Sequence, residues 1–146
     1  MGDRYPSLVV QLVTRAVVPA IQLFALYVLF HGHSSPGGGF QGGVLLAASI
    51  VLQRLVQGHE ASARQFPSRL ALLLAAIGLL AFIGTGLVPV VRGGAFLDYG
   101  LLPLPGAAPA TVRYYGILAV EAAIALTVWG TLVAIYDRLS GKADDA

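Results

Sequence analysis

The chain has 146 residues, 57% of them hydrophobic and 11% charged, with a formal net charge of +2 and no cysteine. A soluble domain carries about twice that charged fraction, and the mean hydropathy of +0.79 excludes an ordinary soluble protein. Without cysteine there is no disulfide, thiolate metal site or cysteine nucleophile; the small net charge decides nothing about nucleic acid, and no nucleic-acid partner is expected.

The composition and its apolar runs predict an all-α membrane protein of four transmembrane helices, each near the roughly 20 residues a bilayer requires. The whole chain, 1–146, reads as one integral membrane domain without an internal repeat. The first span covers about residues 6–30. It is too long for a cleaved signal peptide, carries Gln11 and Arg15, and lacks a small-residue cleavage site. Ser7, Gln11, Arg15 and Gln22 fall on one helical face, which should meet protein or water rather than lipid. Pro19 removes a backbone donor inside the span and predicts a kink.

The segment "FHGHSSPGGGFQGG", residues 30–43, then breaks the apolar pattern. It predicts a glycine-rich turn between helices 1 and 2, either hugging the surface or dipping into the membrane. Pro36 fixes the entry, and Gly37, Gly38 and Gly39 permit positive φ and close backbone packing. Phe40 is expected to anchor the turn in an apolar pocket, followed by Gln41, and Gly42 and Gly43 open the second span. No lysine follows, so it is not a phosphate loop. His31 and His33 could exchange protons near neutral pH or hydrogen-bond the turned backbone. They lack further ligands, and no metal or cofactor is expected.

The second span, about 42–57, carries a polar stripe of Ser49, Gln53 and Gln57. His59 lies in the following connection and reads as solvated. The third span, about 70–91, is almost wholly apolar, and Gly78, Gly84 and Gly86 would let another backbone approach. A 21-residue link from Arg92 to Val112 holds Phe96, Tyr99, Leu101, Leu102 and Leu104 among prolines. A loop so long and apolar either caps its own bundle or meets a partner. The fourth span, about 113–136, has the small residues Gly116, Ala119, Ala123 and Gly130, and Glu121 as the only acid inside a span. Glu121 lies eight residues from Arg113, about 12 Å deep, and Gln22 lies eight from Phe30. The two side chains are therefore expected to lie close together. An intramembrane acid either relays protons or locks helices by hydrogen bonding, the lock being the simpler role. Arg4, Arg15, Arg54, Arg64, Arg69, Arg138 and Lys142 share one side, against Arg92 and Arg113 on the other. That bias predicts cytoplasmic N and C termini.

The stretch "LFHGHSSPGGGFQGGVLLAA", residues 29–48, resembles the signature of the B subunit of multisubunit cation/proton antiporters, the Mrp or Mnh type. The same module occurs in related membrane-bound hydrogenase and sulfur-reducing complexes, and fused to the antiporters' large A subunit. Looser agreement comes from "VP" in the first span and the acid within "VEAAIALTVWG". Serines stand at 34 and 35, where the family often has one bulkier residue. The resemblance implies a small subunit of an assembly that exchanges sodium, or another monovalent cation, for protons and is driven by the proton gradient. It implies A- and D-type and small subunits as partners, and a multi-pass position in a prokaryotic cell membrane. The alternative is a membrane-module subunit of a related redox complex. One buried acid, no buried lysine and no inverted repeat fall short of a self-sufficient transporter. The chain therefore reads as a bridging transporter subunit rather than an enzyme, with Glu121, Gln22, Arg15, His31 and His33 as candidates for an ion path or proton relay.

Overall fold

A computed structural model describes residues 7–32 and 37–144, so His33, Ser34, Ser35 and Pro36 lie outside the described residues. The elements are α1 (Leu8–His31), α2 (Gly39–Gln57), α3 (His59–Gln65), α4 (Ser68–Val91) and α5 (Pro109–Asp144), with a 3₁₀ turn at Tyr99–Leu101. No strand occurs among the described residues. The fold is all-α, with α1, α2, α4 and Pro109–Ser140 of α5 long and apolar enough to cross a membrane.

Local chemistry sets the ends. Ser7 caps α1 by accepting from the Val10 amide at 3.3 Å. Pro19 is held inside α1 and removes the amide that would normally serve the Arg15 carbonyl. Gly58 ends α2 at φ 85°, donating to the Arg54 carbonyl at 3.0 Å. Pro109 opens α5 where its missing amide costs nothing. Two helices depart most from the expected spans. α2 starts at Gly39, three residues before Gly42, because the Gly42 amide closes the first turn on the Gly38 carbonyl at 2.9 Å. α5 begins four residues before Arg113 and runs on to Asp144. Its 36 residues span about 54 Å, well beyond a hydrocarbon core of about 30 Å.

The helices form an open row in the order α1, α2, α5, α4. α2 packs on both α1 and α5, α5 on both α2 and α4, and α1 touches α5 only lightly. α2 is accordingly the most enclosed span, 50% buried against 17% for α4. Close approach replaces bulk at these contacts. A methyl at Gly78 would stand 2.6 Å from the Ala123 carbonyl, and one at Gly130 2.6 Å from the Ala75 amide, so both glycines let α4 and α5 meet backbone to backbone. Gly84, expected to share that role, faces open space. The principal apolar cluster, Ala47, Ile50, Phe66, Ala71, Val133 and Ala134, lies toward the α3 end, where Phe66 stacks on Trp129 with ring centroids 5.1 Å apart.

The two hairpins are offset along the membrane normal. Gly39 stands beside Glu121, Gly43 beside Ala125 and Arg54 beside Asp137, so α2 and α5 run parallel in a fixed register. Because α5 starts at Pro109, it rises about 18 Å beyond the start of α2. At the other end the contact of Gln22 with Ser49 leaves the first turns of α1 projecting past Gln57, by about 9 Å. The long link caps the raised end. Phe96 packs on Gly86 and edge-on to Phe82, Tyr99 and Leu102 cover Gly116, and Arg92 donates to the Leu101 carbonyl at 2.9 Å. Of the two roles open to this link, its apolar residues serve the first.

Candidate functional site

Glu121 sits where α5 meets the amide end of α2 and the last turn of α1. Gly39 lies directly on the Glu121 backbone, so that no side chain fits between the helices. A methyl at Gly38 would stand 3.2 Å from Glu121 Oε1, and one at Gly32 2.5 Å from Oε2. Gly38 has φ 127°, a conformation L side chains avoid. Among the described residues, three glycines thus bring backbone against Glu121, Gly32 and Gly38 at its half-buried carboxyl and Gly39 at its main chain. They lie on both flanks of the undescribed residues 33–36. Helical spacing explains the pattern beyond: Gly39 and Gly43 turn toward α5, while Gly42 faces the Ala25 carbonyl and Leu29 of α1. Phe40 is turned away and is 64% exposed, so it does not anchor in an enclosed pocket as expected. Gln41 is also exposed, and both border an apolar groove with Phe24, Val28, Val44 and Leu45.

The other candidates separate into two places. His31 stays near the glycine roof, its ring stacked on Tyr27 with centroids 4.2 Å apart and Nδ1 3.0 Å from the Tyr27 carbonyl oxygen. Gln22 does not lie beside Glu121. Its amide donates to Ser49 Oγ at 3.2 Å, and Ser49 in turn donates to the Leu46 carbonyl at 2.7 Å. The expected pairing fails because depth counted within each helix ignores the offset between hairpins. Ten residues of α1 separate Gln22 from the glycine at 32, about 15 Å. The polar stripes of α1 and α2 do come together: Thr14, Arg15, Val18, Pro19 and Gln22 line an open groove of about 420 Å³ with Gln53, Gln57 and Gln65.

A polar cluster that the sequence did not single out ties the α3 end of the row. Arg54, 2% exposed, ion-pairs through Nη1 with Asp137 Oδ1 of α5 and donates from Nη2 to the Phe66 carbonyl at 2.8 Å. Ser68 Oγ donates to Asp137 Oδ2 at 2.5 Å, and His59 Nδ1 lies 3.8 Å from Oδ1. Gln53 donates to Gln65 of α3. Four elements and the α3–α4 bend therefore converge on one buried ion pair. The available signal was Arg54 itself, a cation inside an apolar run that needs a counter-charge. No group of three metal-ligating side chains occurs among the described residues.

A family profile described as "Domain related to MnhB subunit of Na+/H+ antiporter" matches residues 9–134, which takes in most of all four spans. Curated proteins from Staphylococcus aureus strains Newman, JH1 and COL, each described as "Putative antiporter subunit mnhB2", are 31% identical over 139 residues. The matches cover 92% of this chain and 95% of each relative.

Proposed function

This chain belongs to the MnhB family of Na+/H+ antiporter subunits, and on that premise we propose that it bridges larger companion subunits in the membrane. The observation that carries the reading is the family match over all four spans of an open helix row. A row exposes both of its faces, and a protein subunit is the natural covering for a face that carries polar side chains. Companion subunits of the A and D type, with other small subunits, are the proposed neighbours. The ions exchanged by the assembly are Na+ and H+, and the chain acts as a transporter component rather than an enzyme. The relatives' names are those of antiporter subunits, so the redox-complex alternative is not adopted.

Charge placement supports cytoplasmic termini in a prokaryotic cell membrane. The α3 end of the row holds Arg15, Arg54, Arg64, Arg69 and Arg138, and the opposite end Arg92 and Arg113. Glu121 is the proposed point where this chain touches the ion path. It is half-buried, flanked by the backbone of Gly32, Gly38 and Gly39, and about 18 Å from the outer end of α5. His31 and His33 are proposed to serve the same end, and Gln22 and Arg15 the α1–α2 groove. The test is sodium-dependent proton exchange in everted membrane vesicles. Deleting the chain should abolish exchange and its return should restore it; undiminished exchange without the chain would refute the assignment.

A further inference from the structure

We propose that the α1–α2 groove receives a transmembrane helix of a companion subunit bearing a carboxylate, with Arg15 as its counter-ion. The inference rests on the subunit reading above and identifies the face and the chemistry of the contact.

Arg15 lies seven residues into an apolar helix, is exposed, and makes no hydrogen bond or ion pair with any described residue. The other polar groove side chains, Thr14, Gln22, Gln53, Gln57 and Gln65, are neutral, so no acid among the described residues lines it to balance the guanidinium. Arg54 and Asp137 are close in height but are ion-paired with each other on the far side of α2. An ionised side chain in a span faces protein or water and pairs with an opposite charge. The groove thus offers a cation and four glutamine amides in about 420 Å³, room for a long acidic side chain.

The surroundings favour a helix over a phospholipid headgroup. The turns of α1 that project past α2 are apolar and open: Leu8 is 72% exposed, Val9 67%, Leu12 56% and Val13 54%. Apolar surface therefore flanks Arg15 on both sides along the helix axis. A headgroup phosphate at Arg15 would leave Leu8–Val13 in the aqueous phase beyond it. A partner helix covers the projecting turns and places its carboxylate against Arg15 in one contact.

The chain has no cysteine and a single tryptophan, so labels can be placed without background. Benzoylphenylalanine in place of Leu12, photolysed in native membranes, should crosslink to one companion subunit, with an Asp or Glu within two helical turns of the captured site. Arg15→Glu should reduce that crosslink and companion recovery at least tenfold, Arg15→Lys should retain both, and exchanging the captured acid for arginine in the companion should rescue Arg15→Glu. Capture of lipid alone, capture of a second copy of this chain, or an undiminished crosslink in Arg15→Glu would overturn the inference. Recovery of the unsubstituted chain without any companion would instead overturn the subunit reading itself. Trp129 emission in each variant distinguishes loss of the contact from loss of the fold, and the charge-swap rescue decides if Arg15→Glu proves unstable.

Discussion

Replacing Asp137 by leucine removes the only carboxylate paired with Arg54 among the described residues. The guanidinium stays 2% exposed and keeps only its 2.8 Å bond to the Phe66 carbonyl. Ser68 also loses its acceptor. Breaking one side of a buried ion pair costs about 3–5 kcal/mol, or roughly two to four powers of ten in the folding equilibrium. The double change Arg54→Met with Asp137→Leu should recover most of that loss, since an apolar pair removes the uncompensated charge. Trp129, the single tryptophan, stacks on Phe66 and so reports on this end of the row. Its emission, followed as the bicelle-reconstituted chain is titrated with denaturing detergent, measures the loss. His59→Ala is the internal contrast. Its side chain is 39% exposed and 3.8 Å from the carboxylate, so it should cost less than about 1 kcal/mol. If Asp137→Leu lay within about 0.5 kcal/mol of the parent, or the double variant were as unstable as the two single losses added, the ion pair would not hold the α3 end.

Three further outcomes follow from the packing and the roof over Glu121. Gly39→Val drives a branched side chain into the Glu121 backbone and should prevent accumulation of folded chain, whereas Gly84→Ala, which faces open space inside α4, should be neutral or gain up to about 1 kcal/mol of helix propensity; membrane yield and thermal retention in mild detergent separate the two. Glu121→Gln should leave companion recovery intact while lowering sodium-dependent proton exchange, and full exchange across the whole pH range would return the residue to a packing role. Phe96→Ala empties the contact with Gly86 and Phe82; with Phe96 already 47% exposed, the loss should be about 1–2 kcal/mol, read as faster proteolysis of the 92–108 link.

Four spans were legible because runs near 20 apolar residues have few alternatives to crossing a bilayer. The two polar stripes were legible as faces turned from lipid, but not their meeting, in which Gln22 bonds Ser49. The start of α2 was not. A run of glycines reads as helix-breaking on its own, yet here its missing side chains are what admit the α5 backbone at Glu121. The expected closeness of Gln22 and Glu121 failed for a related reason: periodicity gives position along one helix but carries no register between helices. Asp137 escaped notice because it falls one residue beyond the expected end of the fourth span at 136, where an acid reads as solvated. The lone Arg54 was the clue, but its counter-charge is 83 residues away in the chain, and only the fold joins them.

The most direct test is affinity purification of the tagged chain from its native membrane in mild detergent, with size and partners determined together. The account predicts elution in an assembly several times larger than the 15.2 kDa chain, containing the large antiporter subunits and carrying sodium-dependent proton exchange on reconstitution. Elution as a stable, folded 15.2 kDa species without companions would contradict it.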